Sequence, residues 1–166
     1  MMTNYTFRTA TIADISTIEK LALATWEPTY KPILSKEQID YMFGVIYTPE
    51  ALQKQMQEDQ TFILLFQQEE PLGFASYSLI NTNEQGYKLN KIYLLPACQG
   101  KGLGRLLLSH IEEEVRKLGG RVLDLNVNKY NKAKAFYETC GYHVHREEDI
   151  PIGPYWMNDY VMRKQL

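Results

Sequence analysis

The chain has 166 residues, 45% of them hydrophobic and 23% charged, and its 18 Lys plus Arg against 20 Asp plus Glu give a formal net charge of -2. That length is one domain, residues 1–166, with enough chain to bury a full core without disulfides or metals. The composition excludes a disordered, collagen-like or low-complexity chain, and it lacks the basic excess or stripe of a nucleic-acid binder.

Tyr5 to Arg8 alternates and predicts a short first strand. Thr11 to Asp14 has the spacing of a helix start, and Ile12, Ile15, Ile18, Leu21, Ala22 and Trp26 follow at helical intervals. Pro28 and Pro32 are expected to end that helix in a rigid bend. Ser35 to Gln38 opens a short helix ending near Gly44. Thr48-Pro49 opens a third, running to about Asp59, with Pro where its missing N–H does no harm. Thr61 to Gln67 and Gly73 to Ile80 are β-rich runs joined by a turn over Gln68 to Pro71, which predicts a hairpin. Tyr87 to Leu95 is a further strand that stops at Pro96.

Gly102 to Leu118 is the strongest helix pattern. Leu103, Leu106, Leu107, Ile111, Val115 and Leu118 fall on one face, and Glu112, Glu113, Glu114, Arg116 and Lys117 are expected on the solvated one. Gly119-Gly120 ends it. Arg121 to Val127 is the next strand, and Asn131 to Cys140 a short helix closed by Gly141. Tyr142 to Glu147 and Trp156 to Arg163 are the last two strands. The order predicts an α/β fold: a mixed, mostly antiparallel sheet of about seven strands with helices on both faces. A right-handed crossover through the long helix supplies its one parallel pair.

Gln99-Gly100-Lys101-Gly102-Leu103-Gly104-Arg105 joins a strand to that helix. Glycines let the backbone turn tightly and approach a ligand, and the first helical N–H groups point outward, where they attract an anion. Lys101 and Arg105 add positive charge there. The dinucleotide pattern G-x-G-x-x-G fails in both registers, at Arg105 and at Leu107, and no Walker pattern is present.

Gln99-x-x-Gly102-x-Gly104, preceded by Ile92-Tyr93-Leu94-Leu95-Pro96, resembles the acetyl-CoA signature of the GCN5-related N-acetyltransferases, the GNAT family. The element order is similar to that family's from Tyr5 to Arg163. The resemblance implies that backbone amides from Gly100 to Arg105 hold the pyrophosphate of acetyl-CoA. It also implies that Ile92, Tyr93 and Leu94 pair their backbone with pantetheine, as a strand pairs with a peptide. A bulge that parts two strands is expected at that position in a family member.

Asn131-Lys132-Ala133-Lys134-Ala135-Phe136-Tyr137-Glu138, before Cys140-Gly141-Tyr142, is similar to the family's second segment, with one residue fewer between Asn and Tyr than in many members. By that likeness Asn131 would contact the cofactor. Tyr137 would protonate the departing CoA thiolate, since a tyrosine hydroxyl can donate to a thiolate of pKa near 8.5. Members often use a glutamate on the strand before the signature, or a water chain, to deprotonate the amine. Here that strand offers Lys88, Asn90 and Lys91 and no carboxylate, which leaves the base open; Glu27 is the candidate, beside Trp26 and Tyr30 where the resemblance places the acceptor pocket.

The expected reaction is direct acetyl transfer to the primary amine of a small molecule. The Thr25-to-Tyr30 and Ile152-to-Met162 stretches resemble those of bacterial spermidine/spermine acetyltransferases, which points to a polyamine-like acceptor. A protein N-terminus or lysine as acceptor, and a CoA-binding module without catalysis, are the alternatives. Cys98 and Cys140 read as packing residues, and His143 and His145, alternating on one strand, lack a third ligand, so no metal is expected. Met1 to Ile12 is polar and mixed, and Phe62 to Phe66 is the longest clean apolar run. Neither suits a signal or a membrane span, so a reduced cytoplasmic protein is expected, and the resemblance, to a family whose members are often dimers, adds a homodimer as a candidate assembly.

Overall fold

Phe62, Ile63, Leu64 and Leu65 form an unbroken apolar run because both faces of their strand are covered: all four are at most 2% exposed. Ile63 and Leu65 enter one core, Phe62 and Leu64 the other. The computed structural model describes residues 4–166, so Met1 to Thr3 of the N-terminal segment lie outside the described residues.

In chain order the elements are β1 (Tyr5–Thr9), α1 (Ile15–Tyr30), α2 (Lys36–Ile46), α3 (Pro49–Glu58), β2 (Thr61–Gln67), β3 (Glu70–Asn81) and β4 (Gly86–Leu94), then α4 (Leu103–Lys117), β5 (Val122–Asn128), α5 (Ala133–Thr139), β6 (His143–Ile152) and β7 (Tyr155–Gln165). The strands form one seven-stranded sheet in the order β1-β2-β3-β4-β5-β7-β6. Only β4 and β5 are parallel, and α4 connects them. α1, α2 and α3 cover one face over Ile18, Trp26 and Phe74, and α4 and α5 cover the other over Leu107, Ile111 and Leu125.

Two irregularities make the site. Ser76 pairs with Lys91 and Tyr77 with Leu89, so Asn90 is an extra residue in β4. The parallel ladder runs from Gly86–Val122 to Leu89–Leu125 and stops there. Beyond Asn90, β4 keeps its partner β3 while β5 parts from it.

Four sequence expectations are corrected. α1 passes through Pro28 and ends at Tyr30, before Pro32. Pro28 leaves the carbonyl of Ala24 without an N–H, but both residues are exposed and water can serve it. Likewise α2 passes through the exposed Gly44 to Ile46. On α4, Leu106 and Leu118 are 38% and 59% exposed, whereas Leu108 and Glu112 are buried. Glu112 leaves the solvated face because Lys164 and the Tyr142 hydroxyl bind it under the helix. Finally, β6 and β7 run on to a tight turn at Gly153, whose φ is +57°. Pro151 is tolerated because β6 is an edge strand.

The tip of that hairpin rests on α2. Gln38 Nε2 donates to the Trp156 carbonyl at 2.8 Å, and the Tyr41 and Tyr155 rings lie 5.5 Å apart. A side chain at Gly153 would collide with Tyr41 Oη. The bulge between Val144 and Arg146 breaks the alternation of His143 and His145. Among the described residues no cluster of three His, Cys, Asp or Glu could hold a metal, and no helix is long and apolar enough to cross a membrane.

Candidate active site

The parting of β4 from β5 opens a cavity of about 690 Å³ on the α4 and α5 side. Its floor is the free edge of β4 at Ile92, Tyr93 and Leu94. Backbone groups there that would face a parallel neighbour have none, because β5 has turned away. Its end wall is the glycine-rich turn. Gly100 and Gly102 adopt φ of +77° and +79°, which side chains resist, and a Cβ at either would meet nothing within 4 Å. α4 begins at Leu103, so the N–H groups of Leu103, Gly104 and Arg105 have no carbonyl before them in the helix. A Cβ on Gly104 would approach the Phe136 ring to 3.4 Å and narrow the gap that the glycine leaves open. An unpaired strand edge leading to a glycine cradle of outward amides fits a long molecule with amides at one end and phosphates at the other, as coenzyme A is.

The side chains around the cradle are held in place. Gln99 Nε2 donates to Leu94 O at 3.3 Å, and Arg105 reaches Thr139 at the end of α5 at 3.4 Å. Gln99, Gly100, Gly102, Gly104, Arg105, Asn131 and Tyr137 all line the cavity. Asn131 Oδ1 accepts from Ala133 N at 2.9 Å, so its oxygen caps α5. Lys101 is exposed and Leu103 is packed in the core, and neither side chain lines the cavity. Tyr137 is buried on α5, with its ring at an edge to Tyr142, 6.1 Å away. Burial raises its hydroxyl pKa above the ordinary tyrosine value, reinforced by Tyr30 and Cys140, so it keeps its proton. Cys140 is buried and Cys98 half-buried, both against the same core.

On the opposite face a second cavity of about 340 Å³ lies beneath α1 and α2. Its walls include Trp26, Tyr30, Tyr47 and Tyr93. Trp26 Nε1 donates to Ile39 O at 3.3 Å, and the Tyr30 and Tyr93 hydroxyls are 3.3 Å apart. Tyr30, Asn90, Lys91, Tyr93 and Asn126 line both cavities, so the two meet at the parted strands. Glu27 is exposed and lines neither. Because α1 continues through Pro28, Trp26 and Tyr30 share its buried face and Glu27 turns outward.

Sequence reasoning missed Asn90, Lys91, Asn126 and Asp159. Lys91 is 8% exposed, with Nζ 2.8 Å from Gln60 Oε1 and over the Phe62 ring. Burial draws its pKa from 10.5 down to about 7. The signal for these residues was faint: polar side chains inside otherwise apolar strands.

A sheet parted at its one parallel pair, beside a helix that offers its first amides to a cavity, defines an acyl-CoA-dependent transferase. The family described as acetyltransferase (GNAT) domain matches residues 30–156. The uncharacterized N-acetyltransferase YuaI of Bacillus subtilis is 31% identical over 136 residues, 80% of this chain and 77% of that protein. Spermidine N(1)-acetyltransferase of Thermoplasma acidophilum is 26% identical over 164 residues, 95% of each chain. The crystal structure of PaiA N-acetyltransferase from Thermoplasma acidophilum, in complex with coenzyme A, superposes with a TM-score of 0.82 at 27% identity, covering 98% of this chain and 99% of that one. The chain belongs to the GNAT family of acetyltransferases. Its activity is acetyl-CoA-dependent N-acetyl transfer.

Proposed function

We propose that the acceptor is the primary amine of a small molecule of the polyamine type, and that Tyr137 is the general acid. One observation carries this reading: the two cavities share a wall at the parted strands, so an amine on one side and a thioester on the other can meet. The aromatic walls of the smaller cavity suit an organic cation. Lys91, with its pKa drawn down to about 7, opposes such a cation less than an ordinary lysine would. The Thermoplasma relative that matches along 95% of both chains carries the spermidine name.

Acetyl-CoA, when bound, supplies an activated thioester whose sulfur departs as a thiolate. The glycine turn and the first amides of α4 would hold its phosphate end, and the edge of β4 would align its arm. Tyr137 Oη keeps a proton beside the cavity and can give it up where a thiolate would form. Tyr30 and Tyr93, whose hydroxyls lie 3.3 Å apart, stand where the two cavities meet. The test is thiol release from acetyl-CoA with spermidine, spermine, 1,4-diaminobutane and n-butylamine. Turnover with the polyamines is expected. Tight coenzyme binding with no turnover on any amine would instead make the protein a binding module.

A further inference from the structure

Asp159, on β7, is a carboxylate lining the smaller cavity and is 4% exposed. Its Oδ2 accepts from Asn126 Nδ2 at 3.2 Å, while its Oδ1 is buried with no hydrogen-bond partner among the described residues. Gln55 Oε1, in the same cavity, is the other buried oxygen left bare, although Gln55 Nε2 donates to Ile46 O at 2.9 Å. Native proteins satisfy nearly all buried acceptors, so two bare oxygens on residues that line one cavity suit a ligand whose N–H donors reach them once side chains give way. Lys88 and Lys91 of β4 line this cavity too, yet neither forms an ion pair with Asp159 among the described residues; Lys91 turns to Gln60 instead. Asn126 lines both cavities, so the carboxylate it holds stands beside the passage between them.

We propose that Asp159 receives the acceptor: Oδ1 takes a hydrogen bond from the substrate ammonium and then its proton, freeing the nitrogen lone pair to attack the acetyl carbon. This rests on the acetyltransfer reading above and supplies the base that neither β4 nor Glu27 provides. The protons balance. The first nitrogen proton passes to Asp159 and then to water. The N–C bond forms as the C–S bond breaks, the sulfur gains its proton from Tyr137, and the second nitrogen proton restores Tyr137.

The groups facing Asp159 are Lys88 and Lys91 from β4, Tyr30 from α1, and Glu148 and Asp149 from β6. Burial dominates and raises its pKa, the Asn126 hydrogen bond and then Lys88 oppose the rise, and Glu148 and Asp149 add to it. A carboxylate so placed is a better proton acceptor than one in water.

The experiment compares wild type, Asp159→Asn and Asn126→Ala. It measures kcat/KM from pH 6 to 10 with the best amine of the panel, and coenzyme A affinity by calorimetric titration. Asp159→Asn should bind coenzyme A within about twofold of wild type and lose about 10²–10⁴-fold in kcat/KM at pH 7. Its remaining rate should climb about tenfold per pH unit, because only the free amine below its pKa of ~10.4 then reacts. Asn126→Ala should lose about tenfold in kcat/KM with coenzyme affinity kept, and it decides the matter if Asp159→Asn fails to fold. Either variant at wild-type rate, or Asp159→Asn with the wild-type pH profile, overturns the assignment. A wild type inactive on every amine overturns the acetyltransfer reading itself, which is a separate result.

Discussion

The Tyr142 hydroxyl donates a 2.8 Å hydrogen bond to Glu112 Oε2, joining the strand-side end of α5 to the underside of α4. Lys164 Nζ reaches both oxygens of the same carboxylate at 3.1 Å. Glu112 is 5% exposed, so this is a buried ion pair with a third member. Removing one partner strands the others. Glu112→Ala is expected to cost about 2–4 kcal/mol, somewhat below a fully buried pair because Lys164 keeps some access to water. Urea unfolding of the two proteins measures it, and a loss under about 0.5 kcal/mol would contradict the network.

Tyr137→Phe keeps the ring and removes the proton donor. We expect kcat to fall about 10²-fold with coenzyme A affinity within twofold. Because burial holds the hydroxyl above its ordinary value of 10.0, it should cause no decline in rate between pH 6 and 10. Stopped-flow thiol release across that range checks both points.

Gly102 and Gly44 should respond in opposite ways to the same change. At Gly102 the backbone sits at φ +79°, so Ala costs about 1–2 kcal/mol and lowers Tm by about 2–6 °C. Coenzyme A affinity should fall about tenfold as the cradle distorts. Gly44 lies inside α2 with open space around it, and Ala there should add about 0.5–1 kcal/mol without changing turnover. Calorimetric melting with and without coenzyme A separates the two.

Lys91 makes stability depend on pH. Unfolded, it holds its proton to its ordinary value of 10.5; folded, it releases it at about 7. Between those values the unfolded chain binds more protons, so stability rises with pH and the penalty is fully present below about 7. Lys91→Met should therefore raise Tm by about 3–6 °C at pH 6 and by little near pH 10. Melting curves at the two values test it; an equal gain at both would show that packing, not charge, sets the difference.

The donor half of the site was legible because its chemistry is local. Gln99 to Arg105 is contiguous, its glycines have one purpose, and the α4 pattern behind them is strong. The acceptor half was not. Asn90 is extra only relative to Ser76 and Tyr77 of another strand, and nothing in its own neighbourhood marks a bulge. Asp159 and Asn126 meet across 33 residues of sequence. Glu112 looked like its neighbours Glu113 and Glu114 because helical charge patterns cannot register a lysine on a distant strand. Pro28 misled for a related reason: a proline inside a helix is better tolerated where, as here, the carbonyl it orphans lies on an exposed face and can reach water.

The clasp between Gln38 and Trp156, with Gly153 pressed on Tyr41, ties the long hairpin to α2 on the side of the smaller cavity. Met42, Ile46, Ile150, Ile152 and Met157 of α2 and the long hairpin line the smaller cavity, and none of them lines the larger one. If the proposed acceptor site is right, a library confined to those five positions would change amine preference with coenzyme A affinity kept. One scaffold could thus serve many metabolites by redecorating a single vestibule.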